Sequence, residues 1–270
     1  MHPPSTKRRE TARAILGSCL AVSLLLGGAA RAQPAGGAAT PVAPPRLSAA
    51  QILRKMEATN NDFADQRLEE QLTVVDVDGA RKSYDFTLYQ KGGVKRLIEF
   101  TSGELKGMSM LVEDRNSVYV YLPGFRKVRR VAASHMNQTL VGSDLSNDDM
   151  ATVSWAEGYD VKLDHEDEGS WWLLLTPKPG EKSDYGKVIH RVDKASFGER
   201  ETHYFNRAGE EVKRLVASSP KTFDGVTRYS LAVFSDPRTG HRTELETKSA
   251  RYDQGLADDF FTVRQLQWGK

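Results

Sequence analysis

The chain has 270 residues, of which 39% are hydrophobic and 27% charged, a composition typical of a globular protein rather than a disordered one. Its net charge of +2 is small, whereas polyanion binding normally requires a broadly basic surface, so we predict no nucleic-acid partner. The single cysteine, Cys19, lies near the N-terminus, which excludes disulfides and cysteine-zinc sites from the rest of the chain.

Residues 1–32 have the pattern of a secretory signal peptide. Three cations at residues 7–9 precede an apolar run at residues 14–30, and an Ala-x-Ala cleavage site ends at Ala32. The apolar run is shorter than the roughly 20 residues that a transmembrane helix needs. We therefore expect cleavage after Ala32 and export to the periplasm, with no transmembrane segment in the mature protein. Loss of five cations and one acid would change the net charge from +2 to −2.

Residues 33–46 are rich in Pro, Ala and Gly and are predicted to form a linker, followed by one domain over residues 47–270. The domain should begin with a helix, because Ser48 and Gln51 have the spacing of a capping box. We expect this helix to end near Asn60 and to bury apolar side chains against a sheet.

From Leu68 onward, strand patterns recur every ten to fifteen residues, with turn signals such as Asp78-Gly79 between them. The absence of strand-helix-strand alternation favours an antiparallel meander. We predict a mainly β protein of about 10–11 strands, with an N-terminal helix and a short central helix. An incompletely closed antiparallel barrel, with the helices as a lid over an apolar cavity, and a β-sandwich with a solid core both fit this pattern.

The stretch from Tyr119 to Asp149 has the most distinctive composition. A β-rich run ends at the turn dipeptide Pro123-Gly124 and restarts with apolar residues interleaved with four cations and no acid. A block with three aspartates follows, in which Ser146 and Asp149 have the spacing of a helix-capping box. The sequence thus predicts a basic hairpin followed closely by an acidic helix start.

The same residues resemble a known family. Leu-Pro-Gly-Phe-Arg-Lys-Val-Arg-Arg at residues 122–130 and Gly-Ser-Asp-Leu-Ser-Asn-Asp-Asp at residues 142–149 are together similar to the paired signature of LolA-like outer-membrane lipoprotein-sorting proteins. The resemblance implies an open barrel with a lid, and a periplasmic carrier of lipoprotein acyl chains or lipid. An inner-membrane transporter would be the donor and an outer-membrane component the acceptor. The resemblance does not specify whether the ligand is a lipoprotein or a free lipid.

The basic and acidic blocks have three interpretations. The cations can protect a sheet edge from pairing with another chain, they can bind an anionic partner such as lipid headgroups, or they can pair with the acids as a latch on the lid. The residues concerned are Arg126, Lys127, Arg129, Arg130, Asp144, Asp148 and Asp149. Aromatic and apolar side chains are candidates either for the core or for the cavity lining. These are Ile52, Met56, Tyr119, Tyr121, Phe125, Trp171 and Trp172.

The sequence contains no recognisable catalytic motif, and we predict no enzyme activity, cofactor or metal. The histidines are scattered, and no nucleophile elbow or phosphate-binding glycine loop is present. Asp144, Ser146 and Asp148 match the first positions of a calcium loop, but the required glycine is replaced by Asp149 and the bidentate acid by Trp155. A non-catalytic accessory subunit of an envelope transport complex is the main alternative. An enzyme would need a convergent acid-base pair that linear sequence does not reveal.

Overall fold

The computed structural model describes residues 46–114, 116–152 and 154–268, and for residues 267 and 268 it describes only the backbone. The predicted signal peptide and nearly all of the predicted linker lie outside these residues. Within the described part of the chain, no helix combines the length and the apolar composition that crossing a membrane would require.

A single antiparallel sheet contains all thirteen strands of the described residues. The strands are β1 Asp65–Val75, β2 Arg81–Lys91, β3 Lys95–Phe100, β4 Ser109–Asp114, β5 Ser117–Leu122, β6 Lys127–Arg130, β7 Tyr159–Glu166, β8 Ser170–Pro177, β9 Tyr185–Asp193, β10 Glu199–Asn206, β11 Glu211–Phe223, β12 Val226–Ser235 and β13 Arg242–Tyr252. Strands β1–β6 form one meander and β7–β13 a second, and β1 pairs with β13 to join them. Because β6 and β7 are the two ends of the strand order, the sheet is not closed.

The predicted mainly β, incompletely closed antiparallel architecture is confirmed, whereas the strand count of about 10–11 was too low. A strand such as β6 has four residues, and over that length sequence alternation is hard to recognise. The sandwich alternative is not found in the described residues, since the thirteen strands form one sheet rather than two.

Four α-helices in the described ranges accompany the sheet. They are α1 Ala49–Asn61, α2 Asn147–Ala151, α3 Trp155–Gly158 and α4 Val263–Trp268. The capping box predicted for α1 is present: the Ser48 hydroxyl accepts from the Gln51 amide at 3.3 Å, and the Gln51 side chain accepts from the Ser48 amide at 2.8 Å. The second predicted helix start is also present, because Ser146 and Asp149 cap α2 in the same reciprocal way.

The two faces of the sheet carry different hydrophobic clusters, because successive strand residues point to opposite faces. Ile98 and Met110 belong to the main cluster, which also buries α1, and we call this side the inner face. Leu97 and Leu111 belong to a second cluster on the outer face. Residues of the C-terminal segment, including Leu266 of α4, cover this second cluster.

Ile52 tests the packing of α1 on the inner face. Its side chain is fully buried in the main cluster, so Ile52→Ala should lower the free energy of unfolding by about 2–5 kcal/mol through lost burial and an incompletely collapsed cavity. Arg54→Ala on the exposed side of the same helix should change it by less than about 0.5 kcal/mol. Urea unfolding measures both values, and an equal effect of the two substitutions would contradict the packing described.

Candidate functional site

A cavity of about 420 Å³ opens on the inner face of β10–β13, and we call it the mouth chamber. Its walls are mainly apolar and its rim consists of exposed, mostly polar residues. The apolar wall residues are Leu215, Ala217, Tyr229, Ala232 and Leu245, the charged wall residues are Glu70, Glu199 and Arg228, and the exposed rim residues are Ser196, Arg200, Ser219, Pro220 and Thr227. Leu215 and Leu245 also line a second space, so the mouth chamber continues inward.

The second space has a volume of about 230 Å³, and we call it the polar chamber. None of its lining residues is exposed, and six of them also line the mouth chamber. Its charged residues are Glu70, Arg96, Asp149, Glu199 and Arg228. A path therefore leads from the exposed rim, past apolar walls, to a charged interior.

Period-two alternation places charges in this interior. Glu70 lies between Leu68 and Leu72 on the inner face of β1, and Arg96 precedes Ile98 on the inner face of β3. In both strands a charged residue occupies a position that the alternating pattern otherwise fills with buried apolar residues. This pattern could have identified Glu70 and Arg96 from the sequence, but neither residue was predicted. The apolar wall residues of β11–β13 were missed as well, since they look like ordinary core positions.

Burial dominates the electrostatics of the polar chamber. It raises the pKa of Glu70, although the nearby charge of Arg228 and the 3.0 Å hydrogen bond from Thr247 oppose the shift. Burial also lowers the pKa of Arg96 to about 10, opposed by the charge of Glu70. The ionised form of each group is thus disfavoured by the low-dielectric surroundings.

Arg96 connects the sheet to a segment that forms one wall of the polar chamber. We call this wall the closing segment; it comprises residues 140–152 and 154–158 and contains α2 and α3. The Arg96 guanidinium donates to the carbonyl oxygens of Met150 at 2.9 Å and Thr152 at 3.4 Å. Its Nε donates to Gln90 at 2.9 Å. The C-terminal end of α2 is therefore held by a charge-assisted contact from the sheet.

Asp149 attaches the other side of α2 to the sheet. Its carboxylate lies 2.5 Å from the Lys213 ammonium and accepts a 3.1 Å hydrogen bond from the Tyr185 hydroxyl. Both members of the ion pair are nearly buried, with 12% and 8% of the side chains exposed. Burial, followed by the negative charge of Asp149, raises the pKa of Tyr185. Removing one charge would leave the other buried and unpaired, which is strongly destabilising.

Two more acids fix the closing segment. The Asp144 carboxylate lies 2.9 Å from Nδ1 of His241 and accepts from the Thr243 hydroxyl at 2.7 Å, which binds it to β13 and the turn before it. Glu57 of α1 accepts from the amide of Trp155 at 2.5 Å and thereby satisfies an otherwise free donor at the start of α3. The segment is thus held by polar contacts to α1, β3, β9, β11 and β13.

A buried histidine lies beside the cavity. Nδ1 of His190 is 2.9 Å from the Glu199 carboxylate and 2.7 Å from the Thr202 hydroxyl, which itself donates to Glu199. Burial by itself would raise the pKa of Glu199, but the hydrogen bond and charge of His190 together with the hydrogen bond from Thr202 outweigh it, and the pKa is lowered. Among the described residues, no group of three or more His, Cys, Asp or Glu is placed to hold a metal ion.

The seven candidates for cavity lining lie elsewhere, and none of them lines either chamber. Ile52 and Met56 are in the core beneath α1. Tyr119 and Tyr121 pack with the second cluster on the outer face, and Phe125 is 68% exposed. The two tryptophans form aromatic stacks, Trp171 on Phe197 and Trp172 on His165.

The basic hairpin consists of β5, β6 and the 3₁₀ turn Pro123–Phe125 between them. Arg126, at the turn, has a positive φ of 50°, and Lys127 and Arg129 are exposed. Arg130 donates to the Asn116 carbonyl oxygen at 3.0 Å. Asp144 contacts His241 and Thr243, and Asp149 pairs with Lys213. In this structure these two acids therefore do not form the predicted latch with the cations of the hairpin.

An open antiparallel sheet with a cavity on its inner face and helical elements beside it is the LolA-like fold. A family model described only as that of an uncharacterized protein matches residues 92–268, and the chain belongs to that family. The resemblance inferred from residues 122–149 is supported, at the level of the fold, by the solved structures described next. No curated protein matches the chain.

Three of the solved structures that share the fold are described here. A DUF1329 family protein from Desulfovibrio piger is 25% identical, with a TM-score of 0.75, and the match covers 81% of this chain and 98% of that one. An outer membrane lipoprotein-sorting protein domain from Vibrio parahaemolyticus is 21% identical, with a TM-score of 0.72 and the same coverage. A LolA superfamily protein from Nitrosomonas europaea is 18% identical, with a TM-score of 0.68 and coverage of 80% and 98%.

Glu70 provides a test of the buried polar chamber. Because its pKa is raised in the folded protein, ionisation above the usual pKa of glutamate favours the unfolded chain, and stability is lost as the pH rises. Glu70→Gln removes this penalty, so the free energy of unfolding of the variant relative to wild type should be higher at pH 7 than at pH 4.5.

Glu246→Gln is the matched comparison, because the hydrogen bond from Lys248 lowers the pKa of Glu246. Its contribution to stability is present at neutral pH and is lost as the pH falls, so the pH trend of this variant relative to wild type should be opposite in sign. Urea unfolding at both pH values measures the difference. The same trend for both variants would contradict the burial of Glu70.

Proposed function

We propose that this protein is a periplasmic carrier that binds the acyl chains of lipoproteins or lipids in the mouth chamber and moves them toward the outer membrane. The observation that carries the proposal is an apolar chamber with an open rim on a LolA-like fold. Its volume of about 420 Å³ lies in the range of small-molecule pockets, roughly 300–1,000 Å³. Each buried methylene would contribute about 0.8 kcal/mol to non-covalent binding.

The closing segment is the part of the carrier that would move. It is fixed by discrete polar contacts, among them Asp149 with Lys213 and Arg96 with two carbonyl oxygens. Such contacts can break and form again without refolding of the sheet, and their loss would join the polar chamber to a larger opening. Binding and release would then follow the position of α2.

The enzyme alternative requires an acid and a base that face the same ligand. Glu70 and Glu199 both line the cavity, but Glu199 is hydrogen-bonded to His190 and Thr202, and Glu70 to Thr247. Each carboxylate thus has hydrogen-bond partners within the protein, which indicates a structural rather than a catalytic role. We therefore propose a carrier that catalyses no reaction.

The basic hairpin would contact the membrane or a membrane partner. Phe125 is exposed at its tip, and Arg126, Lys127 and Arg129 form no ion pair with another described residue. An exposed aromatic ring beside several cations suits a surface of anionic lipid headgroups. An inner-membrane transporter as donor and an outer-membrane acceptor are the partners that a carrier of this kind would need.

The mouth chamber can be tested by filling it. Protein purified gently from periplasm should carry an acylated mass in native mass spectrometry, identified after solvent extraction. Ala217→Phe places a ring among the apolar walls and should lower the bound fraction at least about tenfold.

Val216→Phe is the matched control, because Val216 is adjacent in β11 but exposed on the opposite face, and its bound fraction should remain that of wild type. Wild-type protein that is free of ligand and takes up no added lipid or lipopeptide would overturn the carrier proposal. That result would favour a non-catalytic accessory subunit of an envelope transport complex.

Charge reversal tests the hairpin. Each cation near an anionic bilayer contributes about 1 kcal/mol, so replacing Arg126, Lys127 and Arg129 by Glu should weaken binding to vesicles with anionic lipid by at least about 100-fold. A triple reversal of the exposed Lys82, Lys162 and Arg251 changes the net charge equally. It should weaken binding much less, and equal losses in a flotation assay would show that only net charge matters.

A further inference from the structure

Arg228 has an unusual position in the cavity. It lines both chambers, and its side chain lies where the apolar walls end and the polar chamber begins. Its Nε is buried and has no hydrogen-bond acceptor among the described residues. Within the part of the chain that the structure describes, the one hydrogen bond of its guanidinium is a long contact of 3.4 Å from Nη1 to the Gln66 side chain.

A guanidinium with so few partners is costly in a protein interior. A buried donor without an acceptor costs about 1–3 kcal/mol, and more when the group is charged. Arg96, in the same interior, shows the usual solution, because it donates to Gln90 and to two carbonyl oxygens. Arg228 therefore has donors available for an acceptor that the protein does not supply.

The acids around Arg228 do not supply that acceptor. Glu199 is bound to His190 and Thr202, and Asp149 is paired with Lys213 at 2.5 Å. Glu70 interacts with Arg228 through its charge but forms no ion pair with it within 4 Å among the described residues, and burial favours the neutral form of this acid. The free donors of Arg228 thus face groups that are already satisfied or tend to be uncharged.

The order of surfaces along the cavity sets the orientation of a ligand. The rim is exposed, the wall of the mouth chamber is mainly apolar, and the polar chamber, which shares Glu70, Glu199 and Arg228 with it, has no exposed residue. A hydrocarbon chain fits the mouth chamber, and a polar head fits the polar chamber.

We propose that the cavity takes a single-chain amphiphile with an anionic head, which enters head first so that its carboxylate or phosphate pairs with Arg228. This inference rests on the proposed carrier function and specifies its ligand class. The guanidinium presents paired donors that match either oxyanion, and such contacts are among the strongest hydrogen bonds in proteins. The chain then lies against Leu215, Ala217 and Leu245.

This orientation disfavours a lipoprotein as the bound species. The polypeptide of a lipoprotein is attached at the polar end of its acyl groups, and in this orientation that end is at the closed side of the cavity. A free lipid acid has no such attachment. The inference therefore separates two ligands that the fold alone leaves equivalent.

The test measures binding of four probes to delipidated protein: palmitate, hexadecyl phosphate, hexadecanol and a palmitoylated lipopeptide. Wild-type protein should bind palmitate or hexadecyl phosphate at least about tenfold more tightly than hexadecanol, because a charge-assisted contact is worth that much. The stronger of the two anionic probes identifies the head. The lipopeptide should bind more weakly than both.

Variants of Arg228 test whether this residue causes the preference for anionic probes over hexadecanol. Arg228→Gln should abolish the tenfold difference between acid and alcohol while retaining affinity for hexadecanol, and Arg228→Lys should keep part of it. Arg251→Gln, an exposed arginine on β13, should behave as wild type. The wild-type comparison of acid with alcohol stands by itself if Arg228→Gln does not fold.

Two results overturn the inference in distinguishable ways. If wild-type protein binds hexadecanol or the lipopeptide as tightly as the acids, the carrier function stands and the head-first orientation is wrong. If wild-type protein binds none of the four probes, the carrier proposal fails together with this inference.

Discussion

The pairing of β1 with β13 is the constraint on which the rest of the structure depends. It joins the two meanders through strands from opposite ends of the domain, and it sets Glu70 opposite Thr247 near the middle of the strand order. Asp65 secures the end of this pairing, because its buried carboxylate accepts from the amides of Gln254 and Gly255 at 2.8 Å. The chain then turns onto the outer face, where its C-terminal segment covers the second cluster.

Five charged residues line the polar chamber on the inner face of the sheet, and the reason lies in how the cavity is bounded. Apolar packing alone gives a solid core, whereas buried charges resist collapse because each needs partners at fixed positions. Arg96 and Asp149 find those partners on or around α2, and so hold the closing segment against the sheet. Buried ion pairs of this kind add little net stability, but they fix one arrangement of the segment.

Local patterns predicted most of the architecture. Alternation and turn residues indicated an antiparallel meander, and both capping boxes, at Ser48 and at Ser146, are present. These features depend on neighbours a few residues apart, which the sequence displays directly. The apolar candidates illustrate the limit, because alternation shows that Tyr119 and Tyr121 share a face but not which element covers that face. It is the distant C-terminal segment that covers it.

The sequence by itself determined the fold class, the basic hairpin and the start of α2, because each follows from residue types within one turn or strand. Only the tertiary structure decided where the cavity lies, since its walls come from strands β1–β3 and β10–β13, from the end of α1 and from the closing segment. It also decided the partners of the acids: Asp149 meets Lys213, 64 residues away, and Asp144 meets His241, 97 residues away. Sequence separations of this length are bridged by sheet register, which no local pattern contains.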